Sequence, residues 1–104
     1  MNGPNRKTRF FRLKKQIFDN LTKRGMNDSI HREKAEEYLF FWNMAEDMRE
    51  NIKEYGTNIF DEKRKMTVEN RSVSLLIQAS KQMQEIYKTL GLDEPLPEGG
   101  SDEL

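Results

Sequence analysis

Few residues in this chain could do chemistry, and most of those fail on their surroundings. His31, the sole histidine, stands in His31-Arg32-Glu33, which imitates the His-x-Glu opening of a zinc deaminase. That centre is completed by a Pro-Cys-x-x-Cys segment. The chain has no cysteine, so this site is excluded, as are disulfides, thiolate catalysis, zinc knuckles and iron–sulfur clusters. His31 is expected to be a solvated residue in a helix's first turn. Glu33 with Glu36 or Glu37, and Glu46 with Glu50, fall on common helix faces and could in principle hold Mg²⁺. Each has Arg32, Lys34, Arg49 or Lys53 within a turn, the pattern of a solvated, salt-bridged face. No glycine-rich phosphate loop, Gly-x-Ser-x-Gly turn or supported Ser/His/Asp set occurs. No metal site, no cofactor and no catalysis are expected.

The chemistry that remains is electrostatic. Formal charge sums to zero over 104 residues, yet residues 1–24 carry eight basic groups against Asp19 alone, leaving that end at +7 and the rest at −7. Such asymmetry suggests an anion-seeking end on an acidic body. Arg6, Lys7, Arg9, Arg12, Lys14 and Lys15 fall within three helical turns, close enough to lie along a nucleic-acid backbone and release its counterions. Cations at a helix start oppose the macrodipole, so helix stability does not explain their placement. Two other readings compete: a solubilising face on an ordinary core helix, and a membrane-surface helix built on Phe10, Phe11 and Phe18. The second is disfavoured because Phe10, Leu13 and Ile17 are needed to cover the next helix. Lys63-Arg64-Lys65 adds a smaller cationic point. Compact helix-turn-helix spacing is absent, so any DNA contact should be mainly to phosphates and weakly sequence-selective.

These groups must be positioned by a small core. At 104 residues, 35% apolar and 35% charged, the composition fits one domain of thin amphipathic helices. The longest apolar run, Tyr38 to Trp42, is far short of the ~20 residues of a membrane span. The basic start lacks an apolar h-region, so no secretory signal is expected, and the Ser101-Asp102-Glu103-Leu104 resemblance to a retention tag is read as coincidence.

Residues 1–5 are expected to form a flexible arm and residues 6–92 a single helical domain. Phe10, Leu13, Ile17 and Leu21 repeat at helical spacing from about Arg6 to Arg24, stopped by Gly25. With Asp28 as N-cap, a long central helix runs from about Ser29 to Tyr55 and is closed by Gly56. Tyr38, Phe41, Ala45, Met48, Ile52 and Tyr55 form a heptad seam. Leu39, Phe40 and Trp42 lie off it, so this helix is apolar nearly all round and must be covered on more than one side. A hairpin is predicted at about 57–68, with strands Asn58–Phe60 and Lys65–Val68 around a polar turn. Asn70 caps a third helix carrying Val73, Leu76, Ile77, Ser80, Met83, Tyr87 and Leu90 on one face, and Gly91-Leu92 ends it. Residues 93–104, acidic with no basic residue, are expected to be a disordered tail. The fold class is mainly α: three helices with a β-hairpin between the second and third, assembled as an oligomer.

From Lys14 to Leu92 the chain resembles the small terminase subunits of tailed phages, specifically the P27-like family. The resemblance is carried by a helix ending near Arg24-Gly25, the Asn27-Asp28 cap, and a long aromatic helix ending Glu54-Tyr55-Gly56. After a hairpin come Glu69-Asn70-Arg71-Ser72-Val73-Ser74-Leu75-Leu76 and then Leu90-Gly91-Leu92. It implies a non-enzymatic subunit that assembles into a ring, engages double-stranded viral DNA, and hands it to the large ATPase-nuclease subunit, working in the bacterial host cytoplasm. The expected DNA contacts are Arg6, Lys7, Arg9, Arg12, Lys14 and Lys15. The expected oligomer interface is Tyr38, Phe41, Trp42, Met48 and Ile52. An acidic tail would suit a basic partner or self-screening of the DNA site. The alternative is a helical protein–protein interaction adaptor without nucleic-acid binding.

Overall fold

The computed structural model describes residues 3–96. Five elements follow in order: α1 (Arg6–Lys23), α2 (Ser29–Tyr55), β1 (Asn58–Asp61), β2 (Met66–Glu69) and α3 (Arg71–Thr89). The expected mainly helical architecture, with a hairpin between the second and third helices, is observed. Of the expected arm and tail, residues 1–2 and 97–104 lie outside the described residues.

Each helix boundary has a chemical cause. Asn5 caps α1, its side chain accepting from the Thr8 N–H at 2.9 Å. Asp28 holds the N-cap position of α2, where its carbonyl accepts the first intrahelical bond from Arg32. Its carboxylate meets Nδ1 of His31. This hydrogen bond holds the Asp28 carboxyl below the ordinary value of 3.8. α1 and α3 both end in a left-handed glycine, Gly25 and Gly91, at φ 73° and 71°. In each case the residue after the glycine reaches back five positions, Met26 to the Leu21 carbonyl and Leu92 to that of Tyr87. A β-carbon would disfavour that backbone, so these stops depend on glycine.

The chain divides into two compact units. Among the described residues, the first joins 3–39 to 85–96. Its core is Ile17 and Leu21 of α1, Ala35 and Leu39 of α2, and Ile86 with Leu90 at the end of α3, all buried. Leu39 is only 1% exposed although it lies off the heptad seam, while Tyr55 on the seam is exposed. Ala35 and Leu39, four residues apart, form the stripe that reaches this core. Tyr38 sits at its flank against Tyr87, with ring centroids 6.2 Å apart.

The second unit, residues 40–84, is built differently. Its buried apolar residues are Ala45 and Ala79, joined by three polar ones, Glu46, Asn70 and Ser72. Asn70 organises it. Its Oδ1 accepts from the Ser72 N–H as the α3 cap, while its amide donates to Asn51 Oδ1 at 2.8 Å and to the Gly56 carbonyl at 2.9 Å. Its own N–H donates to the Thr57 carbonyl, and the Ser72 hydroxyl donates to the same Asn51 oxygen. One residue thus ties α2 and the link that follows it, just before β1, to the start of α3.

In the hairpin, Asn58 pairs with Glu69, Ile59 with Val68, Phe60 with Thr67 and Asp61 with Met66. Both strands lie one residue later at the tip side than the sequence pattern predicts. Asp61 still pairs while its carboxylate accepts from the Lys63 and Arg64 N–H groups, and Lys65 cannot extend β2 because it turns left-handed at φ 55°. A lysine there carries the β-carbon clash that glycine avoids. Lys65→Gly is therefore expected to raise stability by about 0.5–1 kcal/mol, read as a higher midpoint in denaturant with an unchanged slope.

Candidate nucleic-acid interface

α1 presents its polar groups in a pattern fixed by the helical period. Ile17 and Leu21 point into the first unit's core, with Phe10 and Leu13 partly covered beside them. The opposite face is cationic: Arg9, Arg12 and Lys15 follow at intervals of three and are exposed. Lys23, eleven residues after Arg12, returns to the same line after three turns and is also exposed. Asp19 lies in this row and is engaged by Lys15 at 2.7 Å. Both partners are solvated, so the pair contributes little to stability.

The six cations singled out by sequence do not share one face. Arg9, Arg12 and Lys15 come together as described. Lys7 is exposed on another flank of the helix. Arg6 is half-buried, and neither it nor Arg9 is without a partner. Lys14 turns toward α2, with its ammonium 3.7 Å from the Glu36 carboxylate and 6.0 Å from the centroid of Phe18. Arg32 covers the same ring at 4.5 Å, so Phe18 receives two cations against its π-system. Lys23 lies outside the cluster that ends at Lys15, although the helical period carried two turns further includes it.

Beside the cationic face runs an open groove of about 430 Å³, with Leu13, Ile17, Tyr87 and Leu92 as its apolar lining and Gln16, Asp19, Asn20 and Lys23 as its polar lining. At its edge the Arg24 guanidinium donates to the Glu94 carbonyl, fixing the segment after α3 to the end of α1.

The residues expected at a subunit interface are all half-buried. Tyr38 lies in the first unit, where burial, and secondarily Tyr87, raises its phenol above the ordinary value of 10.0. Phe41, Trp42, Met48 and Ile52 lie in the second unit and are partly exposed. Phe40, edge-on to Phe41 with centroids 5.5 Å apart, is 61% exposed. On the hairpin, Phe60 on one face and Met66 on the other are about half exposed, at 53% and 52%. Large rings thus surround a second unit whose own buried apolar groups are two alanines. Among the described residues no group of three or more His, Cys, Asp or Glu could hold a metal ion, and no helix is long and apolar enough to cross a membrane.

No curated protein and no solved structure is significantly similar to the chain. A family model described as phage terminase, small subunit, matches residues 14–94, a span running from the middle of α1 through both strands to the segment that closes α3. With more than three-quarters of its length matched, the chain belongs to the phage terminase small-subunit family, and its role lies in the packaging of phage DNA.

Proposed function

We propose that the chain is an oligomeric DNA-recognition and regulatory component of the phage DNA-packaging motor, itself non-enzymatic. It grips duplex phosphates through the basic end of α1 and engages the large terminase subunit. The contacts assigned are Arg6, Lys7, Arg9, Arg12, Lys14 and Lys15, with Arg9, Arg12 and Lys15 as the centre of the surface. The observation that carries this reading is the exposed cationic row on α1, whose placement neither the core nor the helix dipole requires.

Assembly is supported by the second unit. Unburied rings around an alanine core leave apolar area that a further copy would cover, and a homo-oligomeric ring would align several weak cationic faces on one duplex. Tyr38, Phe41, Trp42, Met48 and Ile52 are the interface residues in this proposal. Light scattering at micromolar concentration is expected to give several protomers per particle; a mass that remains monomeric at every concentration would remove this part.

An electrophoretic shift with duplex DNA across a salt series tests the main reading. Binding at low salt that weakens steeply as salt rises is the expected result. No binding even at low salt would favour the helical adaptor instead.

A further inference from the structure

We infer that the acidic segment after Leu96 docks, in the same protomer, on the cationic face of α1 and in the groove beside it, occupying the surface until DNA displaces it. This deepens the phosphate-binding reading above and rests on it. Three observations point to this occupant.

The first is where the described chain ends. Leu92 lines the groove, and the Arg24–Glu94 hydrogen bond ties the segment to the C-terminal end of α1. The described chain is therefore tied at Glu94 to Arg24, the residue after Lys23, at one end of the cationic row. The second is charge. Those eight residues contain Glu98, Asp102 and Glu103 and no basic group, while the row holds Lys23, Arg12 and Arg9. Asp19 is the opposing carboxylate there, and Lys15 already engages it. The third is length. Seven extended residues from Leu96 to Glu103 span about 24 Å, and the fourteen helical residues from Lys23 back to Arg9 span about 21 Å. The segment can therefore run the whole row.

Each solvated carboxylate–cation contact is weak and screened by salt. Tethering compensates, because a short linker presents the carboxylates at an effective concentration of about millimolar. That is enough to compete with isolated phosphates but not with the dense charge of a duplex aligned over several protomers. The docked segment then acts as a threshold, rejecting short or single contacts.

The test uses the full chain. The triple variant E98Q/D102N/E103Q is expected to bind duplex DNA about tenfold tighter than the parent at low salt, the ratio shrinking as salt rises. Neutralising distant charge could also tighten binding, so a second measurement locates the segment. Because the chain has no cysteine, S101C carries a single nitroxide label. Docking predicts paramagnetic broadening of α1 amides between Arg9 and Lys23 at low salt, lost at high salt and in the neutralised background. Parent and triple variant binding DNA equally, or no broadening on α1, would overturn the docking while leaving the DNA interface intact. Broadening that arises only from labelled copies mixed with isotope-enriched unlabelled ones would overturn docking within a protomer. Failure of both chains to bind DNA at low salt would sink the interface reading and this inference with it.

Discussion

Asn70→Ala is expected to destabilise the protein by about 2 kcal/mol and to lower the thermal midpoint by roughly 10 °C. Asn70 is only 4% exposed, and its side chain makes one accepting and two donating bonds. Losing the cap on the Ser72 N–H costs about 1 kcal/mol. The Gly56 carbonyl also loses its amide donor at the closed end of α2, a part-buried bond worth about 1 kcal/mol. Asn51 is less affected, because the Ser72 hydroxyl still donates to the same oxygen. Asn58→Ala, on the exposed side of β1, is the control and should shift the midpoint by less than about 0.5 kcal/mol. Thermal unfolding followed by circular dichroism reads both; an Asn70 variant that melts with the parent would show that this buried node does not hold the second unit together.

The triple variant R9A/R12A/K15A is expected to lose about 100-fold in affinity for duplex DNA near 0.1 M salt. Its log–log salt slope should become shallower by about 2.7, since each lost phosphate contact removes about 0.9. All three side chains are exposed, so the variant should melt within about 1 kcal/mol of the parent, which separates lost binding from lost folding. Lys81→Ala, an exposed cation on α3, should leave both affinity and slope unchanged. A uniform loss across DNA sequences would mark phosphate contacts, whereas a loss confined to one sequence would require base readout. An unchanged slope in R9A/R12A/K15A would place the DNA contact elsewhere.

Elements whose causes are local could be read directly from the residues. The repeat of Phe10, Leu13, Ile17 and Leu21 locates α1, Gly25 and Gly91 locate the helix stops, and Asp28 and Asn70 locate the next starts, because each acts within one turn. The hairpin was legible, but its edges shifted by one residue, since the left-handed turn at Lys65 depends on how Asp61 collects the loop N–H groups. The interior was less legible. Heptad counting favoured Tyr38 and Tyr55, yet Leu39 is buried and Tyr55 is not, because the buried stripe is chosen by what lies opposite it. Asn51 gave no signal at all: a polar residue inside an amphipathic helix reads as solvent-facing until Asn70 and Ser72 arrive from about twenty residues away. For the interface, composition reveals the charge but not its direction: it does not distinguish Lys14, turned toward Glu36, and Arg6, half-buried, from the outward-facing Arg9, Arg12 and Lys15.

The first unit draws its core from both ends of the chain, setting Ile17, Leu21, Ala35 and Leu39 against Ile86 and Leu90. During synthesis the early helices must therefore wait, with their greasy stripe uncovered, until Ile86 and Leu90 have left the ribosome. The intervening residues 40–84 are emitted as one block and close on contacts near in sequence, so they can order first. A ribosome stalled before Ile86 would hold a nascent chain whose basic helix is present but unsupported, vulnerable to proteases and unable to present its cations in a fixed row.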